Sequence, residues 1–339
     1  MTVLFAGGED TSGTTSGTVT IQTGSSNYDA TFSRCAYQIS GSTADPPANR
    51  IAFPAFTGQS DFWTHFNFNG GVNSNTTAVN SVLCRWMDGS TARLLIRATA
   101  TAGQLKLTSR NAAGTLTDLA TGTSGGIPAG ASTNHAIDIH IHYAVSGSVD
   151  VYCDGTNILS FSGDVTTNSA TTLSALEWCG ALLTSSQNFG SQFIVADEDT
   201  RGWKLWTLAP QAAGTNQNWT PNTLANINKT TINDATSIST TSNNTVTEWT
   251  APTSVPTGSW DVKAIVQEAR VERAATGPQH FDWVVRTGGS DFTAGISNAP
   301  STSFGNFGNR LWLTNPNTTV AWTTSDLTTG IQFGIESLA

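Results

Sequence analysis

Asp138, His140 and His142 occupy alternate positions in residues 135–155, which read HAIDIHIHYAVSGSVDVYCDG. Alternation places the three on one face of a strand, with Ile137, Ile139 and Ile141 on the other. An H-x-H pair ligates zinc when a third donor converges on it. His135 lies too near the strand start to be assigned that role, and a polar face turned to solvent accounts for the same residues. A second cluster, Asp197-Glu198-Asp199, runs into Thr200-Arg201-Gly202. Asp197 and Asp199 are hard oxygen donors on a bend, the chemistry calcium requires. An acidic turn with Arg201 as partner is the simpler reading.

Glycoside hydrolysis needs a pair of carboxylates flanking the scissile bond. The strand preceding the acidic cluster is apolar and no E-x-D-x-x-E spacing occurs, so the expectation is a protein that is not an enzyme. The Gly-rich run 123–130 precedes strands, so it lacks the helix N-terminus that cradles phosphate. Neither a Ser/His/Asp order nor a Cys/His nucleophile pair can be argued. Among eleven Trp residues, most alternate with apolar neighbours and are expected in the core. Trp63, opposite the Phe62/Phe66/Phe68 face, is the best candidate for an exposed ring that stacks on sugar, and Trp206 is the next.

The elements that must position these residues are short strands. Only 12% of the 339 residues are charged, and Thr, Ser, Asn and Gly abound. This composition suits strands joined by polar turns. Residues 135–155 are a hairpin: Ser146-Gly147 makes the turn, Val149, Val151 and Cys153 continue the apolar face, and Asp154-Gly155 opens the next turn. A net charge of -9 with no basic stripe argues against nucleic acid and against an anionic membrane. The first ten residues lack a signal-peptide pattern, and no apolar run is long enough to cross a bilayer. Cys35, Cys84, Cys153 and Cys179 have no C-x-x-C spacing and are expected to be buried, reduced thiols.

Strands are predicted over 3–6, 18–23, 34–40, 62–68, 82–87, 93–98, 104–109, 116–120, 158–161, 173–183, 189–196 and 203–208, besides the hairpin. So many short strands imply two stacked sheets. The pattern breaks near Pro210. Residues 211–225 are predicted as a linker, with Pro221 opening one helical turn after Thr220. Strands resume at 245–249, 260–272, 281–286, 310–314, 320–323 and 331–335. The expected organisation is a sandwich over 1–210, a linker over 211–225 and a smaller β-sandwich over 226–339. Asn-x-Thr matches at Asn75, Asn218, Asn228, Asn243 and Asn317 are those expected by chance in so Asn- and Thr-rich a chain.

The meander 82–120 followed by Val151-Tyr152-Cys153-Asp154-Gly155 resembles the laminin-G-like, concanavalin A-type jelly roll. The resemblance implies an all-β chain with an N-terminal jelly-roll sandwich over about the first 210 residues. In that family the first and last strands commonly lie side by side, which would bring Glu9 and Asp10 to the Asp197/Asp199 turn as further calcium donors; the expectation is nevertheless no bound cofactor. Leu4-Phe5-Ala6-Gly7-Gly8-Glu9-Asp10 and Phe193-Ile194-Val195-Ala196-Asp197-Glu198-Asp199-Thr200-Arg201-Gly202 look like virion structural proteins of tailed phages. So do Val266-Gln267-Glu268-Ala269-Arg270-Val271, Asn315-Pro316-Asn317-Thr318-Thr319-Val320-Ala321-Trp322-Thr323 and Gly330-Ile331-Gln332-Phe333-Gly334-Ile335.

This similarity implies a structural component of a bacteriophage particle, made in the host cytoplasm and released by lysis. Its implied partners are other virion proteins, copies of itself as a homo-oligomer and host surface glycan for attachment. The competing readings are a soluble carbohydrate-binding module and a polysaccharide depolymerase.

Overall fold

The computed structural model describes residues 2–40, 44–70, 79–128, 133–167, 170–180 and 188–339. Asn75, the last two residues of the Gly-rich run 123–130 and the end of the strand predicted over 173–183 lie outside them. The chain divides into two compact units, Met1–Trp206 and Thr207–Ala339.

In the first unit the strands are β1 (Val3–Gly7), β2 (Thr14–Ser16), β3 (Val19–Gln22), β4 (Ala36–Ile39), β5 (Arg50–Ala52), β6 (Asp61–Asn69), β7 (Val82–Asp88) and β8 (Thr91–Ala98). They continue as β9 (Leu105–Arg110), β10 (Leu116–Thr121), β11 (Asn134–His142), β12 (Gly147–Cys153), β13 (Thr156–Gly163), β14 (Ala175–Trp178) and β15 (Asn188–Ala196). An eight-stranded sheet runs β13-β12-β11-β6-β15-β4-β3, with β1 also pairing to β15. A seven-stranded sheet runs β10-β9-β8-β7-β14-β5-β2. The all-β class and the concanavalin A-like jelly-roll sandwich expected from the sequence are found here.

Period-two alternation decides which side chains fill the space between the sheets. Phe62, Phe66 and Phe68 of β6, Ile137, Ile139 and Ile141 of β11, and Val149 and Val151 of β12 are all fully buried. From the other sheet come Leu94, Ile96 and Leu107. Phe193 is the aromatic hub, with ring centroids 4.6 Å from Phe53, 5.7 Å from Trp178, 5.9 Å from Phe66 and 6.1 Å from Tyr37. Trp86 Nε1 donates to Thr64 Oγ1 at 3.0 Å, so a buried indole on one sheet is satisfied by the other. Gly190 is required by this packing: a Cβ there would stand 2.6 Å from the Trp178 ring. All four cysteines are buried thiols.

The second unit holds β16 (Ala212–Gln217), α1 (Leu224–Ile227), β17 (Val246–Thr250), β18 (Ile265–Val271), β19 (His280–Thr287), β20 (Ser290–Thr293), β21 (Gly305–Trp312), α2 (Thr324–Thr328) and β22 (Gln332–Leu338). A five-stranded sheet, β16-β17-β22-β19-β20, accompanies a β18-β21 ribbon. Gln267 ties the two together: its Nε2 donates to the Val284 carbonyl at 3.0 Å, while its Oε1 accepts from Trp312 Nε1 at 2.6 Å.

Several predicted elements are corrected. Part of the linker predicted over 211–225 is strand β16, paired with β17 from Ala212–Thr250 to Gln217–Thr247. As an edge strand with exposed side chains, it is held by its backbone ladder and needs no apolar pattern. Pro221 does not open a helix after Thr220, because Thr220 is extended and bridged to Ser239; α1 starts at Leu224 with Thr223 as N-cap. The strand predicted over 203–208 is coil, since Leu205 N–H goes to the Gln192 side chain rather than to a ladder. The strand predicted over 260–272 is confined to 265–271. Residues 320–323 instead lead into α2, where Thr323 and Asp326 form a reciprocal capping box.

Glu248, buried on β17, has a raised pKa relative to its ordinary 4.5. Burial is the main cause, opposed by the Asn216 backbone N–H and reinforced by the Asp291 carboxylate. The unfolded chain releases this proton first, so the group's contribution to stability falls as pH rises from the ordinary value through the raised one. Glu248→Gln should therefore gain stability relative to wild type as pH rises above the ordinary value of 4.5 into the neutral range, read by denaturant titrations. A stability difference between the two proteins that is constant over that window would contradict the raised pKa.

Candidate functional site

The outer face of the eight-stranded sheet carries the residues singled out by their chemistry. Antiparallel register sets Trp63 of β6 opposite His140 of β11, and Asp138 of β11 between His65 of β6 and Tyr152 of β12. Trp63 and His140 stack at 4.6 Å with 14° between planes, and Tyr152 stacks on Trp63 at 5.8 Å. The acidic turn after β15 supplies the cover. Arg201 places its guanidinium 4.7 Å from the Tyr152 centroid and 5.3 Å from that of Trp63. Its Nε bonds both Asp199 oxygens, at 3.0 and 2.9 Å. That pairing holds the Asp199 carboxyl below its ordinary range. Trp63, His140 and Tyr152 are each half-buried and Arg201 is exposed, so the cluster meets solvent.

Beneath it lies a buried polar relay. Asp138 Oδ1 accepts from Thr200 Oγ1 at 2.9 Å and lies 2.8 Å from His65 Nδ1. His65 and Asp138 are 0% and 1% exposed. Thr200, Asp138 and His65 hold the residue types of a hydrolase triad, but their wiring differs. The hydroxyl bonds the carboxylate rather than the imidazole, so the imidazole is not placed to take its proton as it is in a triad. The relay instead pins the 197–202 turn, and with it Arg201, onto the sheet.

The proposed metal donors do not assemble as the sequence suggested. The β1–β15 pair does form, but it is antiparallel, with Val3 opposite Ala196 and Gly7 opposite Phe193. Asp197 therefore meets the start of β1, where its Oδ1 accepts from Thr2 N–H at 2.6 Å. Glu9 and Asp10 run toward the opposite end, roughly 20 Å along the strand, and Glu9 pairs with Arg34 at 2.7 Å. His140 Nε2 lies 2.9 Å from Asp61 Oδ1. Among the described residues, no group of three metal donors includes His140, His142, Asp197 or Asp199.

Of the two candidate tryptophans, Trp63 belongs to the aromatic cluster. Trp206 is half-buried in the coil ending the first unit. Trp86, Trp178, Trp219, Trp249, Trp283, Trp312 and Trp322 are buried. Sequence reading missed Tyr152 and Arg201 as partners of Trp63. Tyr152 showed as the aromatic on the polar face of its strand, but the register that sets it diagonally beside Trp63 is a property of three strands together.

A groove of about 370 Å³ lies on the outer face of the seven-stranded sheet, lined by Arg50, Phe53, Arg85, Met87 and Glu177 among others. Glu177 takes Arg85 at 2.6 Å and Arg50 at 3.4 Å. Asp45 takes Arg85 at 3.5 Å and also pairs with Arg110. Its charges thus satisfy one another.

Fold and site together define a two-unit all-β protein whose concanavalin A-like sandwich displays an arginine-covered aromatic cluster on one sheet. No protein-family model and no curated protein matches the chain. Among solved structures, an endo-β-1,4-glucuronan lyase from the fungus Trichoderma reesei is 11% identical at a TM-score of 0.43, over 58% of this chain and 96% of that one. The binding domain of Paraclostridial Mosquitocidal Protein 1 is 14% identical at 0.40, over 58% of this chain and 49% of that one. Domain 4 of an extracellular arabinanase from Geobacillus stearothermophilus, in complex with arabinotriose, is 9% identical at 0.35, over 57% and 82%. Likenesses this distant carry nothing about activity or ligand.

Proposed function

We propose that the first unit is a carbohydrate-binding module that engages glycan at the Trp63–Tyr152–Arg201 cluster, without turning it over. The observation that carries this reading is a solvent-reaching stack of three rings on a rigid sheet, with an exposed guanidinium across it. Pyranose rings present apolar C–H faces that stack on indole and phenol, and their hydroxyls accept from guanidinium N–H groups. Asp61, more than half exposed beside His140, supplies an acceptor for sugar hydroxyls. The wiring of Thr200 to Asp138 rather than to His65 supports binding without hydrolysis. The test is affinity electrophoresis through bacterial surface polysaccharides, with an assay for released reducing ends. Retardation without release is expected. Release of oligosaccharides would replace this reading with a depolymerase, and failure to be retarded by any surface polysaccharide would remove it.

A second reading, a structural protein of a tailed-phage particle, rests on the likeness of sequence stretches given above. Two of the stretches that look like virion proteins, 4–10 and 193–202, contain the paired strands β1 and β15, so they form one local structure. On that reading the protein acts as a homo-oligomer among other virion proteins, and a glycan-binding face serves host attachment through multivalency. Immunogold electron microscopy of lysate particles is expected to label tails or capsids. Protein found only free in solution would leave the soluble module.

A further inference from the structure

We propose that His135, Cys153 and Asp154 form a site for a divalent transition metal, zinc or cobalt in coordination chemistry, at the turn end of the β11–β12 hairpin. The site is separate from the aromatic cluster and does not depend on the glycan reading.

Its geometry follows from register. Ile137 of β11 opposes Cys153 of β12, so His135 and Cys153 share the core-facing side of the sheet as diagonal neighbours. Cys153 pairs with Thr156 across Asp154-Gly155, a two-residue turn in which both residues have positive φ, 50° and 78°. The tight turn folds the Asp154 carboxylate back over the hairpin. There Oδ1 accepts from Ala136 N–H at 2.8 Å, and Oδ2 lies 2.7 Å from His135 Nδ1 and 3.9 Å from Cys153 Sγ. The nitrogen, sulfur and oxygen donors all lie within 4.8 Å of one another. His135 is 5% exposed and Cys153 4%.

Without metal, Asp154 Oδ2 takes both the His135 imidazole at 2.7 Å and, weakly, the Cys153 thiol at 3.9 Å, so one oxygen already gathers the other two donors. A metal would replace both hydrogen bonds with coordination to the same three groups. Tetrahedral coordination at ordinary bond lengths puts ligand atoms roughly 3.3–3.6 Å apart. The carboxylate and imidazole would separate slightly, and the sulfur would close in. Three protein donors leave a fourth position for water on the side where Asp154 is half-exposed. A thiolate-bearing set favours zinc-like ions over calcium or magnesium.

Burial, followed by the Asp154 carboxylate, pushes the Cys153 thiol up to about 12, so without metal it keeps its proton. Coordination replaces the S–H bond with an S–metal bond and releases that proton to solvent. His135 binds through the Nδ1 lone pair, with its proton on Nε2.

The experiment titrates the full chain, stripped of metal, with Co²⁺ and then Zn²⁺. Expected are one equivalent of Co²⁺ bound, a thiolate-to-cobalt charge-transfer absorption in the near ultraviolet, and bleaching of that band by Zn²⁺. Cys153→Ser should abolish the band, Asp154→Asn should weaken binding at least about tenfold, and His142→Asn should change neither. Far-ultraviolet circular dichroism checks that each variant is folded; should Cys153→Ser fail to fold, Asp154→Asn decides. A folded wild type with no thiolate band overturns the proposal. So does a band that survives Cys153→Ser, unweakened binding in Asp154→Asn, or binding lost in His142→Asn.

Discussion

Glu177→Ala should destabilise the first unit by about 3 kcal/mol, the lower end of what breaking a buried ion pair costs. The Arg85 side chain is 5% exposed and that of Glu177 11%. The carboxylate accepts from Arg85 Nε at 2.7 Å and lies 2.6 Å from its NH2. Removing it leaves a guanidinium that is almost wholly shielded from water and, among the described residues, keeps Asp45 at 3.5 Å as its carboxylate partner. Arg50 loses the same partner. For a unit of this size the loss corresponds to a fall in Tm of roughly 6–12 °C, read by calorimetry on the full chain.

The reciprocal experiment separates the worth of the pair from the cost of breaking it. Replacing both members with apolar residues of similar size, Arg85→Met with Glu177→Leu, should recover most of the loss, because desolvating two ions offsets much of their attraction. A single-variant loss under about 1 kcal/mol would mean that the pair behaves as a surface salt bridge.

Trp63→Ala should lower affinity for a retained polysaccharide by about thirtyfold, the loss of about 2 kcal/mol that an aromatic anchor in a binding surface carries. The ring does two things in the cluster. It offers apolar area to a sugar, and with Tyr152 it supports Arg201, a cation–π contact worth about 0.5–1 kcal/mol where exposed. Loss of Trp63 therefore removes a stacking surface and loosens the guanidinium above it. Because the ring is half-buried and faces away from the sandwich core, fold stability should change far less than in Glu177→Ala. The two variants form a cross-check: Glu177→Ala lowers Tm while the folded fraction still binds, and Trp63→Ala loses binding while Tm is nearly kept. Unchanged affinity in Trp63→Ala would move any glycan site away from this face.

The pattern of types along single strands was legible before any tertiary information. Ile137, Ile139 and Ile141 had to face one way and Asp138, His140 and His142 the other, because a strand repeats every two residues. Asp154-Gly155 had to turn, because both positions tolerate positive φ better than most. Low charge and abundant Thr and Ser implied short strands, whose number implied stacked sheets, and one buried thiol followed from Cys153, which shares the apolar face of Val149 and Val151.

Register and polarity of pairing decided the rest. A shift or reversal of one strand relaces every cross-strand contact without altering any local pattern. The Glu9/Asp10 donors illustrate this: β1 does lie beside β15, but antiparallel pairing sends them away from Asp197 and puts Thr2 there instead. Alternation put His65 and Asp138 on the outer face, yet both are buried, and Thr200 from the turn after β15 bonds Asp138 there. Strand β16 was hidden for the converse reason, since an edge strand held by backbone hydrogen bonds needs no apolar side chains. Periodicity along the chain therefore determined which side chains faced the core. The aromatic cluster, the relay beneath it and the His135–Cys153–Asp154 group exist only because separate strands are held in one register, a cooperative property of the whole sheet.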